Sequence, residues 1–297
     1  MSVSLIDPKA VSKGEALGIL ARRIVEGYRV GEHRSPFHGF AIEFAQHREY
    51  GFGDDLKHLD WKLLGKTDRH YIKQYEQDTN FVAHLVVDGS ESMTYASEKT
   101  SKLDYAKTLA ACLSLIILQQ RDAVALDIFD TAVREHMRRT DNPGSIHEIM
   151  TRLAEFEGVA GTDLARALQD VAAMTKSRGL AIVFSDLFGD EVGFQRGIER
   201  MRFQGTEVIV FHVLDPDELT FPLTGSVHFR GLEGGGDLLT NPQAIRKSYL
   251  ENFDAFRART RLACETSNAH YILADTSVPV AETLSAYLAF RLKVTAR

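Results

Sequence analysis

The sequence predicts an α/β fold, in which helices cover both faces of a mostly parallel, six-stranded, Rossmann-like sheet. Short apolar runs alternate with longer amphipathic segments from about residue 81 onwards, and such alternation is typical of βαβ units. The clearest run, Phe81–Val87, is rich in β-branched residues, bounded by turn residues and too short for a typical helix. It therefore predicts a strand that is buried on both faces.

The other elements follow from the same kinds of pattern. Residues 12–30 predict a helix, because apolar side chains recur there at three- and four-residue steps. Further helices are expected at about 101–120, at 143–154, after Asp163 and in the segments that separate the later strands. The predicted strands are 81–87, 123–129, 132–138, 180–184, 208–213 and 271–274.

One segment interrupts the alternation. Residues 215–240 contain two prolines and a glycine-rich stretch, and we expect a small inserted β-hairpin of Leu219–Leu223 with Ser226–Leu232. The chain is expected to divide into an N-terminal helix and arm, residues 1–78, packed on a main domain of residues 79–297. The hairpin is expected to pair with this arm in a small second sheet.

Composition and charge exclude several classes of function. The chain has 35 basic and 41 acidic residues, a net charge of −6 and no basic block, so we expect neither nucleic acid nor an anionic membrane as a partner. The longest apolar run, Leu109–Leu118, is half of the about 20 residues that a bilayer span needs. The N-terminus lacks an apolar signal core, and Cys112 and Cys264 fall inside helical patterns. These features predict a cytoplasmic protein with buried, reduced cysteines.

Polar residues follow the first central strand directly. Asp88, Ser90 and Ser92 come just after the apolar run, at the kind of strand end where open α/β sheets bind their ligands. Their oxygen atoms suit a hard divalent cation such as Mg²⁺ or Mn²⁺. The alternative is a turn whose serines cap the next helix, and this segment alone leaves both interpretations open.

Two later segments supply further oxygen atoms. Thr162 lies at a predicted helix start, and Asp186 follows a predicted strand. With Asp88, Ser90 and Ser92 they resemble the metal-ion-dependent adhesion site of the von Willebrand factor A (VWA) domain, which has the pattern Asp-x-Ser-x-Ser, then a distant Thr and a distant Asp. The resemblance implies a VWA-like fold, neighbouring strands before Asp88 and Asp186, and a Mg²⁺-dependent protein-binding site. Helix capping remains the alternative for Thr162 and Asp186.

Residues 33–76 are similar to a narrower family, the domain of unknown function 58. The similarity rests on His33–Ser35, Arg48–Tyr50 and Gly53–Trp61, and with this arm it covers nearly the whole chain. Proteins of this family are typically associated with MoxR-type AAA+ ATPases. The resemblance therefore implies an adaptor or chaperone-like protein with such an ATPase as its partner.

The arm also supplies candidate partner-binding residues, namely Arg48, Asp54, Asp55 and Trp61. Trp61 is the only tryptophan of the chain and follows a charged turn that cannot form a core by itself. We therefore expect Trp61 to be largely buried between the arm and the main domain.

Other functions need different residues. Asp88 could be the nucleophile of a Mg²⁺-dependent phosphohydrolase, but such enzymes usually carry a second aspartate where this sequence has Ser90. A third possibility is a scaffold whose site holds no metal. The segment Gly65–Thr67 resembles the end of a phosphate-binding P-loop, but the glycine required five residues earlier is Asp60. The sequence thus predicts a non-enzymatic, Mg²⁺-dependent protein-interaction module.

Overall fold

The structure is a computed structural model, and most of the chain is described by it. The described residues are 13–29, 42–51, 61–67, 69–77, 82–158, 161–175, 179–232 and 236–295. The α-helices within these ranges are α1 Lys13–Arg29, α2 Trp61–Thr67, α3 Lys102–Gln119, α4 Ile146–Glu155, α5 Leu164–Met174, α6 Glu191–Phe203, α7 Pro216–Thr220, α8 Pro242–Thr266 and α9 Val280–Thr295.

The strands of the described ranges form one large sheet and two small ones. They are β1 Ile42–Glu49, β2 Tyr71–Gln77, β3 Val82–Asp88, β4 Ala123–Phe129, β5 Val133–Thr140, β6 Gly179–Ser185, β7 Glu207–Leu214, β8 Val227–Arg230, β9 Asp237–Thr240 and β10 His270–Asp275. The central sheet has six strands in the order β10-β7-β6-β3-β4-β5. Only its edge strand β5 runs antiparallel to its neighbour. The predicted fold class is therefore confirmed.

The burial of the strands explains their sequence pattern. Every residue of β3, β4 and β6 is buried, because helices cover both faces of a parallel sheet. Helices α1, α3, α4 and α9 pack on one face, and α5, α6 and α8 pack on the other. Cys112 lies in the first of these cores and Cys264 in the second, and both thiols are free. Within the described ranges, none of the helices combines the length and apolar character that a membrane span requires.

The chain changes direction between β3 and β6. After β3 it continues to β4 on one side of the sheet, and later it returns to place β6 on the other side of β3. Val87 of β3 pairs with Phe184 of β6, so the two strands end side by side. A reversal of this kind opens a crevice at the carboxyl ends of the strands, which is where ligands bind in open α/β sheets.

The N-terminal part differs in one respect from the expectation. Ala21 and Val25 of α1 belong to the main core, and β1 pairs with β2 in a separate antiparallel sheet. Trp61, the first residue of α2, exposes 67% of its surface, so the prediction that it is buried is wrong. The half-buried apolar residues of this short helix are Leu63 and Leu64.

The insertion also differs from the prediction. Residues Leu219–Leu223 do not form a strand, because residues 216–220 form helix α7. Asp215 caps this helix, and the Glu218 carboxylate accepts a hydrogen bond from the Asp215 backbone N–H at 2.8 Å, which completes a capping box. The hairpin is formed instead by β8 and β9, which pair with each other and not with β1 or β2, the described strands of the arm.

Candidate metal centre

Asp88 occupies the centre of the candidate site, at the end of β3. Its side chain is fully buried, and both carboxylate oxygens accept hydrogen bonds. The Ser90 backbone N–H donates to Oδ1 at 3.0 Å, and the Ser185 hydroxyl donates to Oδ2 at 2.5 Å. Ser185 is the last residue of β6, so the neighbouring strand ends are joined through this carboxylate.

The loop after Asp88 brings the two serine hydroxyls together. The Oγ atoms of Ser90 and Ser92 lie 3.1 Å apart, and Ser92 begins a short 3-10 helix. The backbone N–H of Gly89 donates to the carbonyl of Phe129 at the end of β4. These contacts fix the loop that carries both hydroxyls.

Thr162 carries a buried hydroxyl group. Its Oγ1 atom is buried and has no hydrogen-bond partner in the structure. It does not cap α5, because that role belongs to Asp163, whose carboxylate accepts from the Arg166 backbone N–H at 3.0 Å. The Asp163 N–H is itself bonded to the carbonyl of Asp130 after β4. The Thr162 loop is therefore fixed in place, while the Thr162 hydroxyl is left available to a ligand.

Asp186 is held by a residue that the sequence analysis did not single out. Its Oδ2 atom lies 2.8 Å from Nζ of Lys102, and its Oδ1 atom accepts from the Phe188 backbone N–H. The same ammonium group lies 2.6 Å from Oε1 of Glu218. Lys102 is only 1% exposed and Asp186 is fully buried, so a buried ion pair stands at one side of the site.

The electrostatics of the site reflect closely placed buried charges. Burial, and after it the negative charge of Asp186, raises the pKa of Asp88 to about 7. Burial alone would lower the pKa of Lys102, but the charges of Asp186 and Glu218 outweigh burial and hold that pKa above its usual range. The site thus places two fully buried carboxyl groups, Asp88 and Asp186, beside the buried Lys102.

These residues fit a divalent cation, by the chemistry of the donor set. In the described part of the chain, His, Cys, Asp and Glu side chains do not form a metal cluster by themselves. The candidate set consists of hydroxyl and carboxylate oxygens together, which suits Mg²⁺ and other hard cations. A bound cation would give the unpartnered Thr162 hydroxyl a partner and would offset the burial that raises the pKa of Asp88.

Two of the candidate partner-binding residues, Trp61 and the backbone of Arg48, fall within the part of the chain that the structure describes. Trp61 lies exposed on α2, and Arg48 lies in β1 of the small N-terminal sheet. Asp54 and Asp55, and the side chain of Arg48, lie outside what the structure describes.

Sequence signals could have identified Lys102 and Glu218. A lysine at the first residue of a helix is unfavourable to the helix dipole, so Lys102 needs acidic partners. The segment Asp215-Pro216-Asp217-Glu218 has the spacing of a capping box with proline at the first helical position. That signal would have placed Glu218 on a helix rather than before a strand.

Comparison with protein families identifies the class of the chain. Residues 46–259 match the family described as "Protein of unknown function DUF58", and the chain belongs to this family. The sheet order, with the Asp-x-Ser-x-Ser segment after the central strand β3, makes its main domain VWA-like. The VWA-like fold suggests a protein-interaction module.

Relatives and solved structures are similar over most of the chain. The uncharacterized proteins Rv1480 of Mycobacterium tuberculosis and Mb1516 of Mycobacterium bovis are each 25% identical over 233 residues, which is 77% of this chain and 73% of theirs. An aerotolerance-related membrane protein of Bacteroides fragilis is 19% identical, with a TM-score of 0.49 over 72% of this chain and 99% of that chain. The SpRpn10 VWA domain is 14% identical, with a TM-score of 0.39 over 69% of this chain and 93% of that chain.

Proposed function

We propose that this protein is a non-enzymatic interaction module that binds a protein partner through a Mg²⁺-dependent site at the ends of β3 and β6. Asp88, Ser90, Ser92, Thr162 and Asp186 would hold the cation directly or through water. The partner we propose is a MoxR-type AAA+ ATPase, which this protein would serve as an adaptor. Its cytoplasmic location stays a prediction.

The observation that carries the proposal is the Thr162 hydroxyl. A buried hydroxyl without a hydrogen bond costs about 1–3 kcal/mol, and Thr162 Oγ1 has none in this structure. The loop that holds it is fastened by Asp163 on two sides, so the hydroxyl is held where it is. A cation that Thr162 helps to hold would give this oxygen a partner.

The carboxylate and hydroxyl residues of the site would have different roles in binding the cation. Asp88 and Asp186 supply the negative charge, while Ser90, Ser92 and Thr162 supply neutral oxygens that leave the positive charge of a cation largely uncancelled. A bound Mg²⁺ supplies exchangeable positions that a carboxylate of a partner protein can take. The rest of the chain is acidic overall, so an acidic partner surface would be attracted at this site and repelled elsewhere.

Calorimetry tests the metal site. Titration of Mg²⁺ or Mn²⁺ into the wild-type protein should reveal one site, which Asp88→Ala removes. Asp190→Ala is a matched control, because Asp190 is an exposed carboxylate that caps α6 nearby. Equal binding by wild-type protein and Asp88→Ala would contradict the proposal.

Capture of a MoxR-type ATPase tests the partner. Capture should fall when EDTA removes divalent cations and when Asp186 is changed to Ala, with circular dichroism confirming that the fold persists. Moderate salt should weaken capture less than EDTA does, because a coordinated carboxylate is screened less than an exposed ion pair. Undiminished capture by the chelated protein would exclude this site as the docking point.

The alternative is a Mg²⁺-dependent phosphohydrolase with Asp88 as its nucleophile. Both oxygens of Asp88 accept hydrogen bonds and the side chain is fully buried, an arrangement that favours a positioning role over attack on phosphorus. Incubation with generic phosphate esters separates the two functions. Metal-dependent turnover that Asp88→Asn abolishes would favour the enzyme.

A further inference from the structure

Lys102 links the candidate metal centre to the inserted segment. Its ammonium group lies between Asp186 of the site, at 2.8 Å, and Glu218 of α7, at 2.6 Å. It also lies 5.5 Å from the centre of the Phe188 ring. One buried positive charge is therefore shared by a carboxylate of the candidate centre and a carboxylate outside it.

A buried lysine need not be paired in this way. Lys107, one and a half turns along the same helix α3, is 7% exposed and donates to the main-chain carbonyl of Phe156 at 2.6 Å. Burial lowers its pKa. Lys102 is more deeply buried, yet its two carboxylate partners keep it charged. Lys102 thus differs from Lys107 in that its ammonium group forms buried ion pairs.

We propose that Lys102 is the cation of the site itself: it neutralises Asp186 when no divalent cation is bound, and it competes with a divalent cation for that carboxylate. When Asp186 coordinates a bound cation, Lys102 keeps its ion pair with Glu218 but loses its ion pair with Asp186. This inference rests on the proposed function, because it concerns the same metal centre.

The competition follows from the number of charges. Asp88 and Asp186 lie close together, because the hydroxyl of Ser185, the residue before Asp186, donates to Asp88 Oδ2 at 2.5 Å, so a bare pair of carboxylates is unfavourable. Lys102 relieves that repulsion through Asp186. Two like charges about 4 Å apart repel by about 4 kcal/mol at the effective dielectric near a protein surface, so a cation that enters must share Asp186 with the ammonium group or displace it.

Glu218 connects the ion pairing of Lys102 to the inserted segment, residues 215–240. Its second oxygen accepts from the Asp215 N–H at 2.8 Å, and its carbonyl accepts from the Tyr249 hydroxyl at 3.3 Å. Asp215 also accepts from the Ser97 N–H at 2.9 Å. Helix α7 is thereby fastened both to the loop before α3 and to α8. A stronger Lys102–Glu218 bond would tighten α7.

A column of aromatic rings continues from α7 to the hairpin. The ring centres of neighbouring members lie between 4.2 and 6.1 Å apart. In order, the column comprises Phe229, Phe221, Tyr249, Phe253, Phe256 and Phe188. Because Phe188 is the ring beside Lys102, the hairpin and the ammonium group stand at the two ends of one packed unit. Metal occupancy should therefore be detectable in the exchange of backbone hydrogens in α7.

Two substitutions with opposite expected effects test the competition. Lys102→Met removes the competing charge, and we expect Mg²⁺ to bind about tenfold tighter or more in calorimetry. Glu218→Gln keeps an oxygen acceptor but removes the alternative anion, so Lys102 stays on Asp186 and Mg²⁺ should bind more weakly than in the wild type. Lys107→Met is the control for loss of a buried lysine from α3, and its dissociation constant should equal that of the wild type.

Hydrogen exchange provides a second measurement. Addition of Mg²⁺ to the wild-type protein should slow exchange in residues 215–221, and this effect should be absent in Lys102→Met. If Lys102→Met does not fold, Glu218→Gln decides the question, because it keeps the lysine and its hydrogen bonds.

The outcomes separate this inference from the proposed function. Equal affinities in the wild type, Lys102→Met and Glu218→Gln, with binding lost in Asp88→Ala, would overturn the competition and leave the metal site standing. Weaker binding by Lys102→Met would also overturn it, since Lys102 would then only position Asp186. Binding by Lys102→Met but not by the wild type would support the competition and overturn the Mg²⁺-dependent function. Failure of every variant to bind would overturn both.

Discussion

The ring of Phe156 lies directly against the main chain at Gly89, immediately after Asp88. A Cβ atom added to Gly89 would lie 2.1 Å from Cε1 of this ring, far inside van der Waals contact. Phe156 follows α4 and packs against the main core, so its ring would have to move to make room for a side chain at residue 89. The loop that carries Ser90 and Ser92 therefore requires glycine at residue 89 for space.

Gly89→Ala should disturb the site and the fold together. We expect a loss of about 1–3 kcal/mol in the free energy of unfolding, the usual cost of overpacking, and weaker Mg²⁺ binding because the Ser90–Ser92 loop is displaced. Urea denaturation and calorimetry measure the two effects. Gly65→Ala is the matched control: nothing lies within 4 Å of a Cβ there, and Gly65 lies in α2, where alanine is the better helix former. Equal stability of both variants would contradict the steric argument.

Thr162 predicts an unusual combination of effects on stability and binding. Thr162→Val replaces a buried hydroxyl without a hydrogen bond by a methyl group of similar shape, so metal-free stability should stay equal or rise. Mg²⁺ affinity should fall, because one oxygen of the set is removed. Thr162→Ser keeps the hydroxyl and should bind Mg²⁺ like the wild type. Unchanged affinity in Thr162→Val would remove Thr162 from the candidate set.

The fold could be predicted because strands buried on both faces have a distinct pattern. The runs that became β3, β4 and β6 are short, apolar and bounded by turn residues, and the ends of parallel strands meet at one edge of a sheet. That the strands before Asp88 and Asp186 are neighbours is implied by the resemblance to the VWA metal site and not by these patterns, and the pairing of β3 with β6 confirms it. That Asp88 and Asp186 bind a metal stays a prediction.

Contacts between distant segments could not be predicted in the same way. Lys102 reaches Glu218 across 116 positions of the chain, and helical periodicity does not describe such a contact. The prediction of a strand at 219–223 is wrong because the alternation of Leu219, Phe221 and Leu223 resembles a strand, while the capping box of α7 is a local signal that outweighs this alternation. Trp61 was misplaced because hydrophobicity by itself does not determine burial.

His84 should make stability depend on pH. Burial, and after it the nearby His136, lowers the pKa of His84 from 6.5 to about 4. Below about pH 6.5 the unfolded chain binds a proton at His84, whereas the folded protein binds it only near pH 4. The free energy of unfolding is therefore highest above pH 6.5 and falls as the pH is lowered towards 4. Between pH 7 and pH 5 this amounts to about 2 kcal/mol in the free energy of unfolding.

Urea denaturation of the wild type and His84→Asn at both pH values isolates this effect. The asparagine variant should lose about 2 kcal/mol less than the wild type over this interval, whatever its stability at pH 7. His147→Asn, at an exposed position on α4, should keep the wild-type dependence. The same pH dependence in all three proteins would show that His84 does not titrate as its burial requires.

Trp61 provides a test of the arm as a docking surface that is independent of the metal centre. Because 67% of its surface is exposed, its emission should be that of a solvated indole and acrylamide should quench it freely in the folded protein. Trp61→Ala should change the free energy of unfolding by no more than about 0.5 kcal/mol and leave Mg²⁺ binding unchanged.

If the arm contributes to the partner interface, this variant should still capture less of a MoxR-type ATPase, because exposed aromatic side chains often dominate interface energies. Phe203→Ala is the control, since Phe203 is 93% exposed at the end of α6, and its capture should equal that of the wild type. Full capture by Trp61→Ala, together with loss of capture in EDTA, would place the interface at the metal centre alone.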